Sequence, residues 1–209
     1  MLHAVALFLL LISIHASPEI GEVGSVDVGE NVVTVPLQRE YSSPVVILGD
    51  PSYSQYPQFF CFRITSINST SFSVKAVSDS SGSITAEPMQ YMVLEAGQHL
   101  LGSVKIEAGI YDGTSLANTV TFGTQFSSTP LVIPSIMSNN YNGFQHMRVT
   151  SVRSSNATFQ FETVSGSGVT DNPNIETIGL VHYHNAAAAA AAKTKASQYS
   201  KPFRVESHF

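Results

Sequence analysis

FFCFRITSINSTSF, residues 59–72, is the most informative stretch of the chain. An apolar run, a polar turn and a renewed alternation read as a strand, a hairpin turn and the start of a return strand. The same order comes back at 143–159 as GFQHMRVTSVRSSNATF. Arg63-Ile64-Thr65-Ser66-Ile67 matches Arg148-Val149-Thr150-Ser151-Val152 in residue type at every position. Each copy passes through an Asn-x-Ser/Thr triplet to a Phe and a new alternating run. Self-similarity at a fixed spacing marks a duplicated structural unit, so the rest of the chain is read twice.

Working outward, 23–28 alternates apolar and polar, and VVTVPL at 32–37 carries Pro36, which suits an edge or a bulge. Residues 45–48 are a continuous apolar run. Phe72, Val74 and Ala76 fall on one face of the return strand, and MQYMVLE at 89–95 closes the unit. In the second copy Gly102-Ser103-Val104-Lys105-Ile106 echoes Gly24-Ser25-Val26-Asp27-Val28. Residues 119–122 echo 32–35, and 131–136 echo 45–48. Phe159-Gln160-Phe161 echoes Phe72-Ser73-Val74, and 178–183 echo 90–95. The expected class is all-β, with about six short strands per copy. The layout is two tandem six-stranded antiparallel β-sandwich domains, 21–97 and 100–185.

The chain has 209 residues, 43% of them apolar, enough for two small cores. Only 12% are charged, so Ser, Thr, Asn and Gln carry much of the surface. A net charge of −5 leaves no electrostatic footprint for a phosphate backbone, and nucleic acid is not an expected partner. The single cysteine, Cys61, allows no intrachain disulfide. It reads as a small buried hydrophobe, with intermolecular pairing or a reactive thiol as the alternatives.

Residues 1–16, MLHAVALFLLLISIHA, have the length and small-residue end of a secretory signal. The expectation is a secreted, extracellular protein, the alternative a short anchor helix holding it to a membrane. Secretion gives meaning to the acceptor triplets at Asn68 and Asn156, which the sequence places in the same hairpin of each copy. Residues 186–209 begin with an alanine run. One short run is a marginal helix in water, so this tail reads as extended or partly helical. Its Tyr199, Phe203 and Phe209 suit a packing arm.

The loops at 49–57 and 138–143 bring Tyr53, Tyr56, Asn140, Tyr141 and Asn142 together in type. Aromatic faces with amides suit sugar recognition, by apolar stacking and oriented hydrogen bonds; the same residues are also common turn formers. Asp50 or Asp171 adds an acceptor for sugar hydroxyls. His182 and His184 share a strand face, and His146 is a third imidazole in the same copy. A metal site needs three or four convergent ligands, with His146 the candidate third; the ordinary reading is a polar strand end. No cofactor or metal is expected. GxSxG, HExxH, a P-loop and CxxC are all missing, so the reading is non-enzymatic. Arg63 and Arg148 read as framework residues paired with Glu95, Glu162 or a neighbouring subunit.

The framework resembles the H-type lectin domain of snail agglutinins and the C-terminal part of discoidins. The resemblance is carried by Gly24-Ser25-Val26-Asp27-Val28-Gly29, Val33-Thr34-Val35, Ser43-Pro44-Val45-Val46-Ile47-Leu48, Arg63-Ile64-Thr65-Ser66-Ile67, Phe72-Ser73-Val74 and Tyr91-Met92-Val93-Leu94-Glu95. In the second copy Pro130-Leu131-Val132-Ile133, Arg148-Val149-Thr150-Ser151-Val152, Phe159 and Gly179-Leu180-Val181 continue it, over about residues 21–184. It implies six-stranded sandwiches, homo-oligomers with trimers among them, and glycans or glycoproteins as partners. The family's sugar-site residues are not matched. VSDSS at 77–81 and VSGS at 164–167 stand where the family keeps a Trp-His pair, Phe59 and Phe144 stand where it keeps a sugar-contacting Arg, and the chain has no Trp. Two functions follow as expectations. The first is a secreted carbohydrate-binding or adhesion protein acting by multivalency. The second is a structural subunit of an extracellular or membrane-associated filament, coat or complex.

Overall fold

The computed structural model describes residues 20–51, 60–78, 83–113, 117–141, 144–165, 168–169 and 176–185. The signal or anchor at 1–16, the tail at 186–209, and Tyr53, Tyr56 and Asn142 lie outside the described residues.

The described chain is all-β and its strands pair antiparallel. The first copy supplies β1 (Gly21–Val28), β2 (Val33–Pro36), β3 (Pro44–Leu48), β4 (Phe60–Ile67), β5 (Ser71–Ser78) and β6 (Glu87–Glu95). They form two three-stranded sheets, ordered β1-β6-β3 and β2-β5-β4. The second supplies β7 (Gly97–Leu101), β8 (Val104–Gly113), β9 (Asn118–Thr121), β10 (Leu131–Ile136), β11 (Gln145–Val152), β12 (Asn156–Ser165), β13 (Gly168–Val169) and β14 (Glu176–Asn185). Here the orders are β10-β14-β8-β7 and β11-β12-β13, with β9 also on β12. Setting aside β7 and β13, the second pattern repeats the first strand for strand.

The alternation of β5 explains its place. Phe72 and Val74 are fully buried and Ala76 nearly so, while Ser71, Ser73 and Lys75 between them are half-buried. Side chains from both sheets of the first copy share one apolar cluster, with Val28, Val46, Phe60, Ile64, Phe72, Met89 and Val93 all fully buried. Pro36 ends β2 at a sheet edge, where its missing N–H costs no ladder bond.

The duplication extends to individual hydrogen bonds. A bulge between Ile64 and Ser66 returns between Val149 and Ser151. Leu37 N–H donates to Thr70 O at 2.8 Å, and Phe122 N–H to Ser155 O at 2.9 Å. Gln38 N–H donates to Glu22 Oε2 at 2.9 Å, and Gly123 N–H to Glu107 Oε1 at 2.7 Å. These pairs fix which residues are equivalent, and they correct two sequence alignments. Gly24 faces Tyr91 and Gly109 faces Leu180, so the counterpart of β1 begins at Ile106, not at Gly102. Val35 faces Phe72 and Val120 faces Ala157, so Ala157, not Phe159, takes the place of Phe72.

Gly97 to Leu101, where the sequence passes from one copy to the next, is β7, and it turns back onto β8. The turn at Gly102-Ser103 needs a positive φ, and Gly102 supplies one at 60°. The two copies are in contact. β3 lies against β8, β10 and β14, and the first copy's cluster continues into Ala108, Met137 and Val181. This is why Val45 and Ile47, consecutive members of the side of β3 facing away from its own core, are 0% and 5% exposed. A second cluster gathers Phe159, Phe161, Ile178 and Leu180.

Candidate functional site: the cleft between the repeats

The contact between the copies is pinned by a buried ion pair. Arg63, on β4, has a side chain with no exposure, and so does Glu176 at the start of β14. The guanidinium Nη2 donates to Glu176 Oε1 and to Ser138 O, both at 2.9 Å, and Nη1 donates to Gln145 Oε1 at 2.7 Å. Glu176 also accepts from Tyr141 N–H at 2.7 Å, from Asn140 N–H at 3.3 Å and from the Ser138 hydroxyl. A charge this deep persists only when paired and hydrogen-bonded. The network therefore ties a strand of the first copy to a strand and a loop of the second.

Arg148 occupies the equivalent strand position and behaves differently. It is 59% exposed and pairs at 2.6 Å with Glu162 on the neighbouring β12. Framework pairing with Glu162 thus holds for Arg148, whereas Arg63 reaches across the repeats. Glu95 pairs with neither arginine; its carboxylate accepts from Ser42 and Ser43 N–H at 2.9 and 2.7 Å.

Beside the bridge runs a cleft lined by both copies. One hollow of about 450 Å³ takes Leu48, Asp50, Cys61, Pro134, Ser135, Phe144, Gln145, His146 and Met147 into its wall. A second, of about 790 Å³, shares Leu48, Gly49, Asp50, Pro134 and Met147 and continues to Gln90, Tyr91 and Met92. β3 runs out at Leu48 and puts Asp50 at the rim, where it is exposed. β11 brings in Phe144 at its entry, then Gln145 and His146. His146 Nε2 lies 2.9 Å from Glu162 Oε2, which orients the ring. Gln145 is 2% exposed; its Oε1 is held by Arg63, and its Nε2 has no hydrogen-bond partner among the described residues. The wall thus combines a carboxylate at the rim, an oriented imidazole, a buried amide and an aromatic ring. That set suits a polyhydroxylated ligand with one apolar face.

Of the loop residues singled out from sequence, Asn140 is exposed and Tyr141 half-buried, with both backbones fixed by Glu176. Asp50 lies in the cleft wall; Asp171 is outside the described residues. Phe144, Gln145 and His146 as a cleft-lining set were not read from the sequence. The signal was present in FQHM, but only the fold shows that this segment meets the end of β3.

Cys61 is half-buried in the cleft wall, and burial pushes its thiol pKa up, away from the reactive thiolate. His182 corrects the strand-end reading. It is fully buried, stacked on Phe122 at 4.0 Å between ring centroids and edge-on to Phe126 at 5.2 Å. Burial lowers its pKa, opposed by Glu107, whose Oε2 is 3.4 Å from Nε2. His146 lies instead with Glu162, and among the described residues no three metal-ligating side chains converge.

The two glycan-acceptor triplets fall in the same hairpin of each copy but not at equivalent positions in it. Asn68 is exposed in the β4–β5 turn, with its Oδ1 accepting from Thr70 N–H at 2.9 Å and Ser71 N–H at 2.8 Å. Asn156 is half-buried as the first residue of β12, paired with Thr121. Asn68 N–H bonds Ser71 O, and Arg153 N–H bonds Asn156 O, so Asn156 stands in the place of Ser71.

Among the described residues no helix is long and apolar enough to cross a membrane. Comparison with protein-family models, with curated proteins and with solved structures returned no match.

Proposed function

We propose that the chain is a secreted, non-enzymatic carbohydrate-binding or adhesion protein of two H-type-lectin-like repeats, each a six-stranded antiparallel sandwich. The observation that carries this reading is the cleft between the copies, where Asp50, Phe144 and His146 combine acceptor, aromatic and imidazole groups in one wall. A sugar stacks an apolar face on Phe144 and gives its hydroxyl protons to Asp50. Each such contact is weak, and useful affinity comes from several chains engaging one surface. A glycan array tests this, with binding expected for the wild type and at least tenfold weaker for Asp50→Ala and Phe144→Ala. Binding that both substitutions leave intact removes the cleft from the reading, and silence toward every glycan removes the lectin.

A second reading, a structural subunit without sugar binding, is favoured by one observation. Val23, Leu100, Leu101 and Leu131 are 71%, 68%, 60% and 52% exposed, a heavy apolar surface for an isolated chain.

A further inference from the structure

The contact between the two copies is one-sided. β3 of the first packs on β8, β10 and β14 of the second, yet β10, the counterpart of β3, does not pack on β1 or β6 in the same way. A contact of this kind uses different surfaces on its two members and leaves one of each uncovered. The burial of equivalent residues records this. Val45 is 0% exposed against the second copy, and its equivalent Leu131 is 52% exposed. Ala108 is 2% exposed against the first copy, and its equivalent Val23 is 71% exposed. At these two pairs the apolar position covered on one copy is open on the other, while Ile133 and Met92, the equivalents of buried Ile47 and Val181, are half-buried.

Of these two open positions, Val23 borders an apolar groove, and Leu131 lies outside its lining. Val23 and Met92 form one side, Ile106 and Ile133 the other, and Leu101 of the β7–β8 hairpin the rim. The groove has a volume of about 360 Å³, and Leu94 and Val181 in its wall belong to the core that joins the two copies. It is therefore continuous with an interface already built from apolar sheet face on apolar sheet face.

We propose that this groove is covered by a second copy of the chain. Within the chain an apolar face of this kind is already covered by another sheet face, as Ala108 and Val181 are by β3. A two-fold pairing brings two grooves together, so that Val23, Met92 and Leu101 of each copy pack on those of the other, as a self-complementary patch requires. The hairpin fits that role because β7 has no counterpart among the described residues of the first copy and carries Leu100 and Leu101 exposed. This pairing does not depend on sugar binding, and loss of every glycan signal leaves it standing.

Light scattering behind size-exclusion chromatography tests it on the full chain at about 20 μM, a concentration that populates a micromolar dimer. The wild type is expected at twice the chain mass. Val23→Glu and Leu101→Glu, both at exposed positions, are expected at the single-chain mass with unchanged circular dichroism and melting temperature. A monomeric wild type overturns the proposal, whether the groove stays open or is covered by residues 1–19 of the same chain. A dimer that survives both substitutions overturns it equally, since the contact then lies elsewhere.

Discussion

Removing Glu176 while keeping Arg63 should be the most damaging single change to the union of the repeats. In Glu176→Ala the guanidinium stays buried with Gln145 Oε1 and Ser138 O as partners but no counter-charge. The N–H groups of Asn140 and Tyr141 lose their carboxylate acceptor at the same time. Breaking a buried pair by taking one partner costs about 3–5 kcal/mol. In a chain of this size that lowers the melting temperature by roughly 6–20 °C. Arg63→Met should cost less, near the lower end of that range, about 3 kcal/mol. Its carboxylate partner keeps three donors from the 138–141 segment, and the methionine fills part of the space. The double variant should cost less than the sum of the two singles by at least about 1 kcal/mol, because neither charge is left alone. Urea unfolding followed by circular dichroism and by tyrosine fluorescence measures all three. Arg148→Met is the control: its pair with Glu162 is exposed and worth under about 1 kcal/mol. Additive single effects, or a Glu176→Ala loss no larger than the Arg148→Met loss, would refute the claim that this pair joins the repeats.

Two further outcomes follow from the core. Burial holds the His182 pKa below the ordinary value of 6.5, so the unfolded chain takes up this proton at higher pH than the folded protein does. Stability carried by the neutral ring is complete above that ordinary value and is lost as pH falls below it. His182→Val, which installs the residue found at the equivalent Val93, should flatten the stability profile between about pH 7 and pH 5; an unchanged profile contradicts the assignment. Gly24→Ala should lower stability by about 1–3 kcal/mol. A Cβ there falls 2.3 Å from Tyr91 Oη, and the Tyr91 ring is itself held edge-on to Phe72 at 5.1 Å. A melting temperature within error of the wild type would mean that Tyr91 has room to move.

The repeat around Arg63 and Arg148 was legible because a strand, its bulge and its turn are local, and both copies keep the same residue types through them. The slip between Phe72 and Phe159 has a simple physical origin. Side chains alternate with a period of two, so a two-residue shift keeps every apolar residue on the same face and the pattern cannot reveal it. The misplaced counterpart of β1 arose differently. GSVKI imitates GSVDV, yet it belongs to the β7–β8 hairpin and the first residues of a longer strand. The true match, Ile106 to Gly113, keeps Glu, Gly and Asp at the same places as Gly21 to Val28 and little else. Those glutamates are kept for a reason that apolar periodicity does not register: each accepts a backbone N–H from the loop beyond the next strand. The partner of Arg63 was out of reach of any local reading, being 113 residues away in the other copy. His182 was misread because an imidazole in an otherwise apolar strand looks like a strand end until Phe122 and Phe126 are seen around it.

The stoichiometry of sugar binding tests most directly whether the proposed site is formed by the joining of two repeats. Isothermal titration of the wild-type chain with a glycan selected on the array should give one site per chain, weakened about tenfold or more by Asp50→Ala. Two equivalent sites per chain would place recognition within each repeat and contradict a cleft shared between them. One site indifferent to Asp50 would contradict it as well.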